Sequence, residues 1–186
     1  MIDFQAKFNA GYEYGDFLEK YGSPDHQQRW AEVYKLFQPT EAHRSILKNF
    51  VREMNVLCLA GAWCGDCVSQ CPILQRFSET GPRIHLRFVD RDADAELADE
   101  LRICGGARVP AVVFLSEDFA HCARYGDRTL ARYRAMAQEL SGAACSTGLV
   151  GSDDALIAVA DDWLGEFERV QLMLRLSPRL REKHGD

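Results

Sequence analysis

The sequence lacks several features that would each point to a particular class of protein. It has no apolar run long enough to cross a bilayer, so we predict no membrane segment. Its first eight residues have neither the basic start nor the apolar stretch of a secretory signal, which favours a cytoplasmic location. It has no stripe of Lys and Arg, and its formal net charge is −6 at pH 7, which argues against nucleic-acid binding.

Metal-ligand spacing is also missing. The five histidines are scattered, and none is spaced with another like a pair of ligands, so we assign them no metal. We find no internal repeat and no low-complexity block, and we expect no bound cofactor. The chain has 186 residues, of which 47% are hydrophobic, which is enough for one domain with a buried core and some added segments.

Cysteine, by contrast, is abundant, with seven residues. Cys64 and Cys67 are separated by two residues and can close a small, reversible disulfide. The apolar run over 54–62 is typical of a strand and the pattern over 68–77 of a helix, so the pair should lie on a strand-to-helix turn. Unpaired N–H groups and the helix dipole favour a thiolate at Cys64. We therefore predict that Cys64 has the lowest pKa of the seven cysteines.

The sequence gives less reason to assign a redox role to the other five cysteines. Cys58 lies inside the predicted strand and is interpreted as a small buried hydrophobe. Cys71 shares a helix face with Cys67 and is interpreted as a helix-interior thiol or an accessory redox thiol. Its spacing also resembles part of an iron–sulfur ligand run, but Gly61 stands where that run needs a further cysteine. The remaining three are predicted spectators: Cys104, Cys122 and Cys145.

Alternating strand-like and helix-like segments predict an α/β fold with a central mixed sheet flanked by helices. The predicted strands of the core cover 56–61, 84–89, 111–115 and 121–125. The predicted helices of the core cover 65–78, 94–103 and 128–140. Two further helices precede the first strand, one starting at Ser23-Pro24 and one at Thr40.

These features resemble the thioredoxin superfamily. The motif residues stand at the family's spacings: Trp63, Cys64, Gly65, Cys67 and Pro72. Val109-Pro110, followed by an apolar run, is similar to the family's cis-proline at the head of a strand. The resemblance covers roughly residues 41–140. It implies that the Val109-Pro110 loop faces the disulfide, that the Val109 backbone pairs with substrate, and that Gly126 lies near the active site.

The resemblance also implies roles within the motif. Cys64 attacks a substrate disulfide and Cys67 resolves the mixed disulfide, while Trp63 offers an apolar contact to substrates. Asp66 stands where thioredoxins usually have proline. The family's buried aspartate is replaced by Cys58, and its lysine by Phe88 or Leu86. Asp66 could take the proton of Cys67 through water, or it could be an acidic helix-start residue without a catalytic part.

The preferred hypothesis is a thioredoxin-like oxidoreductase of cell redox homeostasis that reduces protein or small-molecule disulfides. Its electrons would come from a flavin-linked reductase or a low-molecular-weight thiol. One alternative is a binding or scaffold module that keeps the fold and uses its helical extensions. Another is a redox sensor in which Cys71 or Cys58 exchanges with the pair.

We divide the chain into an N-terminal helical extension (1–40), a core (41–140), and a linker with a C-terminal helical extension (141–186). The linker covers 141–152, and the C-terminal helix starts near Asp153. Its apolar seam from Leu156 to Leu174 needs cover. We predict that both extensions pack together or onto the core and leave the Cys64 side open; the rival is a homodimer. The tail after Ser177-Pro178 is expected to fray.

Overall fold

A computed structural model describes residues 2–141 and 154–186 of the protein. The predicted linker lies outside these residues except for Ser141, and so does Cys145. The elements follow in the order α1 (Phe4–Ala10), α2 (Tyr14–Tyr21), α3 (Pro24–Leu36), α4 (Glu41–Lys48), β1 (Met54–Ala60), α5 (Gly65–Thr80), β2 (Ile84–Asp90), α6 (Ala95–Glu100), β3 (Ala111–Ser116), β4 (His121–Gly126), α7 (Leu130–Ser141), α8 (Ala155–Leu176) and α9 (Pro178–His184).

The four named strands form one mixed sheet in the order β2-β1-β3-β4, which confirms the predicted fold class. Strand β1 pairs in parallel with β2 and antiparallel with β3, and β3 pairs antiparallel with β4. Every residue of β1 is buried, which explains why its sequence is apolar without alternation. In register, Cys58 lies between Phe88 of β2 and Val112 of β3.

Side-chain caps fix the start of several helices. Ser23 and Thr40 each accept a hydrogen bond from the backbone N–H three residues on, and both belong to capping boxes. The predicted starts of these two helices are confirmed. Helices α1 and α2 were not predicted; they have only seven and eight residues and are separated from their successors by Gly11 and Gly22.

Helices α3 and α8 of the two extensions pack onto the side of the sheet that carries α5. Trp30 of α3 is fully buried; its indole N–H donates to the Ala62 carbonyl at 2.9 Å, and its ring lies against Phe88. Phe167 of α8 stands edge-on to Phe77 of α5 and to Phe114 of β3. The prediction that the extensions cover the core is therefore confirmed. Among the described residues, no helix is long and apolar enough to span a membrane.

Two predicted boundaries were wrong. Helix α6 ends at Glu100 rather than 103, because a turn follows in which Ile103 and Gly106 pair and Cys104 has a positive φ of 50°. The tail is not frayed but forms α9. Its Leu180 is buried, and Asp186 forms an ion pair with the buried Arg52, which ties the chain end to the segment before β1.

Candidate active site

The Cys64–Cys67 pair lies on the turn between β1 and α5, as predicted. Cys64 is the N-cap residue of α5, and its backbone N–H donates to the Gly61 carbonyl at 3.0 Å. Cys64 is half-buried, whereas Cys67, one turn into the helix, is fully buried. An incoming sulfur can therefore reach Cys64 but not Cys67.

The Val109-Pro110 loop faces this pair. The Val109 carbonyl oxygen is 3.5 Å from Cys64 Sγ, and the Val109–Pro110 bond is cis, as predicted. Gly126 at the end of β4 lies directly behind the loop at a φ of +146°, and a Cβ there would lie 2.3 Å from the Pro110 carbonyl oxygen. Glycine is thus required at position 126 for β4 to approach the proline loop.

The two thiols titrate as one unit. Hydrogen bonding to Cys67 and burial raise the pKa of Cys64 well above the ordinary thiol value, although the backbone N–H groups of Asp66 and Cys67 oppose this rise. Burial by itself raises the pKa of Cys67, but hydrogen bonds from Cys64, Cys71 and the Gly61 N–H lower it to about 5. The pair therefore loses one proton readily and shares the other.

The lowered pKa belongs to the coupled pair, because hydrogen bonds to the Cys67 sulfur lower it and one proton is shared between the two sulfurs. That Cys64 has the lowest pKa of the seven cysteines stays a prediction. Cys64 is the accessible sulfur of the pair. The access of Cys64, rather than its resting charge, then decides which sulfur meets a substrate.

Trp63 forms one rim of the site. Its side chain is 42% exposed, and the guanidinium of Arg91 lies 4.5 Å from the centroid of its ring. Arg91 also pairs with Asp92 at 2.7 Å. A Cβ at Gly61 would lie 2.8 Å from the indole, so this glycine lets the ring fold back over the turn. The arrangement leaves one indole face for a partner and places a cation on the ring.

Asp66 belongs to a charged network that the sequence did not predict. Its carboxylate pairs with Arg128 at 2.7 Å and lies 3.8 Å from Arg132. The buried Asp127 pairs with Arg108 at 3.2 Å and with Arg128 at 3.3 Å, and it accepts a hydrogen bond from the Tyr133 hydroxyl. Arg128 thereby links the start of α5 to the segment between β4 and α7.

The network changes the interpretation of Asp66. Its carboxylate is engaged by arginine, and the negative charge of Asp66 acts on Cys67 by raising the pKa of that thiol. Burial by itself raises the pKa of Asp127, but hydrogen bonds from Tyr133 and Arg108 lower it. The adjacent Asp127-Arg128 pair, directly after Gly126, was the one signal in the sequence that could have indicated this network.

Cys58 and Cys71 lie directly behind the pair. Both are fully buried, and their sulfurs are 3.9 Å apart, with Cys58 on β1 and Cys71 on α5. Cys104 is exposed and Cys122 is half-buried; both lie away from these sulfurs in sequence and in fold. Among residues 2–141 and 154–186, no group of three or more His, Cys, Asp or Glu side chains is arranged to hold a metal ion.

A mixed sheet with a dithiol at a helix N-terminus and a cis-proline loop facing it defines a thioredoxin-type protein. A family model described as thioredoxin matches residues 11–141, and the chain belongs to this family. Family membership supports a redox-related function. No curated protein matches the sequence.

Two solved structures share the fold over almost the whole chain. The first is the 1.5 Å crystal structure of a protein of unknown function from Pseudomonas aeruginosa, which is 20% identical, with a TM-score of 0.70; the match covers 91% of this chain and 97% of that one. The second is an HIV epitope-scaffold that is 19% identical, with a TM-score of 0.62, covering 93% of this chain and 95% of that one. The similarity therefore includes the helical extensions.

Proposed function

We propose that this protein is a thiol–disulfide oxidoreductase that reduces protein or small-molecule disulfides. The observation that carries the proposal is the relation of the two sulfurs. Cys64 is half-exposed beside the Val109 carbonyl, and Cys67 is fully buried one turn further into α5. One sulfur can be reached by a substrate, and the other can attack only the first.

In the first step the proton that the pair shares lies on Cys67, and the Cys64 thiolate attacks a substrate disulfide. A bond forms between Cys64 and one substrate sulfur, the substrate disulfide breaks, and the other sulfur leaves as a thiolate. In the second step Cys67 gives its proton to water and its thiolate attacks Cys64 Sγ; the bond between Cys64 and the substrate breaks, and the second substrate sulfur leaves as a thiolate. The substrate gains two electrons, and Cys64 and Cys67 become a disulfide.

The surrounding residues would hold the substrate during these steps. The Val109 backbone next to Pro110 would pair with an extended substrate segment, and the exposed Trp63 ring would cover apolar side chains. Gly126 would keep the proline loop in place from behind. Asp66 would act through its charge on Cys67. A flavin-linked reductase or a low-molecular-weight thiol would return two electrons to the Cys64–Cys67 disulfide.

Insulin reduction with dithiothreitol or a thioredoxin reductase as donor tests the proposal. We expect the protein to accelerate precipitation of the insulin B chain and Cys64→Ser to abolish the effect. Cys67→Ser should retain substrates as mixed disulfides on Cys64, identified by mass spectrometry. Cys122→Ser is the matched control, because this half-buried cysteine lies on β4 outside the site.

The contrary result would be a protein that neither reduces insulin nor traps a partner through Cys64. That result would favour the alternative of a binding module that keeps the thioredoxin fold. An active Cys64→Ser variant would instead refute the assignment of the attacking sulfur.

A further inference from the structure

Arginine is concentrated in the two chain segments that meet at the start of α5. The segments 101–110 and 128–138 contain five arginines and no Asp or Glu, although the formal net charge of the whole chain is −6. The first segment includes the proline loop, in which Arg108 directly precedes Val109. The Val109 carbonyl oxygen is 3.5 Å from Cys64 Sγ. Arg108 is therefore adjacent in sequence to the backbone that is proposed to pair with substrate.

The second segment brings two more arginines to the first turn of α5. Arg128 pairs with Asp66 at 2.7 Å, and Arg132 lies 3.8 Å from the same carboxylate. Asp127 pairs with Arg108 at 3.2 Å and with Arg128 at 3.3 Å. This arginine cluster thus has three guanidinium groups against two carboxylates, and it adjoins a residue two positions after the reactive sulfur.

The cluster has its anions inside and its cations outside. The side chains of Asp66 and Asp127 are 16% and 3% exposed, whereas those of Arg108 and Arg132 are 43% and 44% exposed. Arg128 is less exposed than either and contacts both carboxylates, so it supplies most of their compensation. The surface that a substrate meets is therefore positive, because the negative charges lie beneath it.

The Trp63 side of the site has a different character. Arg91 lies 4.5 Å from the centroid of the Trp63 ring, but it also pairs at 2.7 Å with the exposed Asp92, so it adds no net charge. A substrate would meet an aromatic surface there. On the side of Arg108 and Arg132 it would meet a net positive charge.

We infer that the disulfide substrates of this protein carry a carboxylate close to a sulfur, and that Arg108 and Arg132 bind it. A guanidinium group binds a carboxylate through two parallel N–H···O bonds, and its charge persists at any physiological pH. A positive rim also increases the rate at which an anion encounters Cys64. The inference rests on the proposed function: it names the substrate class of the same dithiol and leaves both exchange steps unchanged.

The competing explanation is that these arginines only hold the buried carboxylates in place. Under that explanation, loss of Arg108 or Arg132 acts through the fold or through ionisation of the dithiol, and it changes the reaction with every disulfide by the same factor. A role in binding substrate predicts instead an effect that depends on the charge of the disulfide. The ratio of two rates on the same variant therefore separates the explanations.

The test measures how fast the reduced protein is oxidised by three small disulfides of different charge. They are 3,3′-dithiodipropionate with two carboxylates, 2-hydroxyethyl disulfide without charge, and cystamine with two ammonium groups. Samples are quenched in acid and alkylated, and mass spectrometry of the peptide that contains Cys64 and Cys67 gives the oxidised fraction. The intrinsic reactivities of the disulfides differ, so each variant is compared with the wild type on the same disulfide.

The variants change one charge at a time. Arg108→Gln and Arg132→Gln remove the charge, and the corresponding lysine variants keep it. Arg83→Gln is the matched control: Arg83 is also about half exposed and also pairs with a carboxylate, that of Glu53. It lies at the far end of β1, where its carbonyl accepts from the Met54 N–H, and a seven-residue strand separates it from the site by about 20 Å.

We expect each glutamine variant to lower the ratio of the 3,3′-dithiodipropionate rate to the 2-hydroxyethyl disulfide rate by about threefold, as for loss of one unit charge about 6 Å away in water. The double variant should lower it by about tenfold, and cystamine should react faster than with the wild type. The lysine variants should stay within about twofold of the wild type. For the wild type, the 3,3′-dithiodipropionate rate should fall as the ionic strength rises.

A small anionic disulfide and an acidic protein segment share the chemistry that the inference requires. Two disulfide-linked peptides that differ only in Glu or Gln beside the cysteine distinguish these sources. If the source is a protein, the Glu peptide should react faster than 3,3′-dithiodipropionate, because an extended chain also pairs with the Val109 backbone. A small-molecule source predicts the reverse order. In both cases the Glu peptide should react faster than the Gln peptide, and equal rates would count against the inference.

The inference is overturned if the glutamine variants keep the wild-type ratio, if they slow all three disulfides alike, or if Arg83→Gln lowers the ratio as much as they do. A wild type that is oxidised by none of the three would refute the proposed function itself. Urea unfolding shows whether each variant is folded. If a glutamine variant does not fold, the wild type decides: an equal ionic-strength dependence for the anionic and the neutral disulfide overturns the inference.

Discussion

Gln70 is the residue through which the C-terminal extension reaches the active site. It is fully buried on α5, and its side-chain N–H group donates to the Asp127 carbonyl at 3.0 Å and to the Asp66 carbonyl at 3.2 Å. Its side-chain oxygen accepts from the indole N–H of Trp163 at 3.0 Å. One amide thus joins the dithiol helix, the segment after β4 and helix α8.

Gln70→Leu keeps the approximate volume and removes all three hydrogen bonds. It leaves the Trp163 N–H and the Asp127 carbonyl buried without this partner, each at a cost of about 1–3 kcal/mol. The Asp66 carbonyl keeps its place in the helical ladder and adds little. Burial of the leucine returns part of the loss, so we expect a net decrease of about 2–4 kcal/mol in the free energy of unfolding. That is a large share of the roughly 5–15 kcal/mol of a typical domain.

Urea unfolding followed by circular dichroism measures this decrease, and a double-mutant cycle with Trp163→Phe isolates the indole contact. The free energy of unfolding should decrease by about 1 kcal/mol less in the double variant than in the two single variants added together. The reason is that phenylalanine has no N–H group to leave without a partner. Gln28→Leu, on the exposed face of α3, should change the stability by less than about 0.5 kcal/mol. A Gln70→Leu variant as stable as the wild type, or strict additivity in the cycle, would refute the reasoning.

Three other predictions concern the charges of the site. Iodoacetamide at mildly acidic pH should label Cys64 before the other cysteines, because it is the accessible member of the pair that carries thiolate; peptide mapping would show otherwise if a spectator reacted first. Asp66→Asn should lower the pKa of Cys67 further, since the carboxylate raises it, and ultraviolet titration of thiolate absorbance measures the change. The pKa of Asp127 is lowered in the folded protein, so its contribution is complete above its ordinary value of 3.8 and is lost as the pH falls through the folded-state pKa. In the wild type, the urea midpoint should fall as the pH decreases below 3.8. Asp127→Asn should make this fall smaller, and an unchanged fall would contradict the prediction.

The strands of the core were predictable because their signals are local. The buried run of β1 and the alternation of β2 each lie within seven residues, and the predicted bounds agree with the structure to within two residues. Helices α1 and α2 gave no comparable signal, because they are short and are held by contacts with distant elements. Phe17 of α2, for example, packs against Phe88 of β2.

The candidate site likewise has one part that could be predicted from the sequence and another part that could not. The sulfur pair and its neighbour Trp63 are adjacent in sequence, so their grouping follows from the motif. Arg128 reaches Asp66 only because β3 and β4 bring residue 128 back to the start of α5. Gln70 is an ordinary polar helix position in the sequence, and its contact with the Trp163 indole depends on α8, which is distant along the chain. Pairings that depend on chain crossings cannot be predicted from spacing alone.

The distribution of charge around the pair favours neutral groups as the partners of Cys67. The carboxylates of Asp66 and Asp127 are held by arginines on the outer side of α5, whereas the space behind Cys67 contains thiols. A buried carboxylate in the place of Cys58 would compete with Cys67 for the negative charge, and the two groups would titrate together. In the proposed reaction, the second step should therefore follow the ionisation of the Cys64–Cys67 pair alone, without a coupled carboxylate.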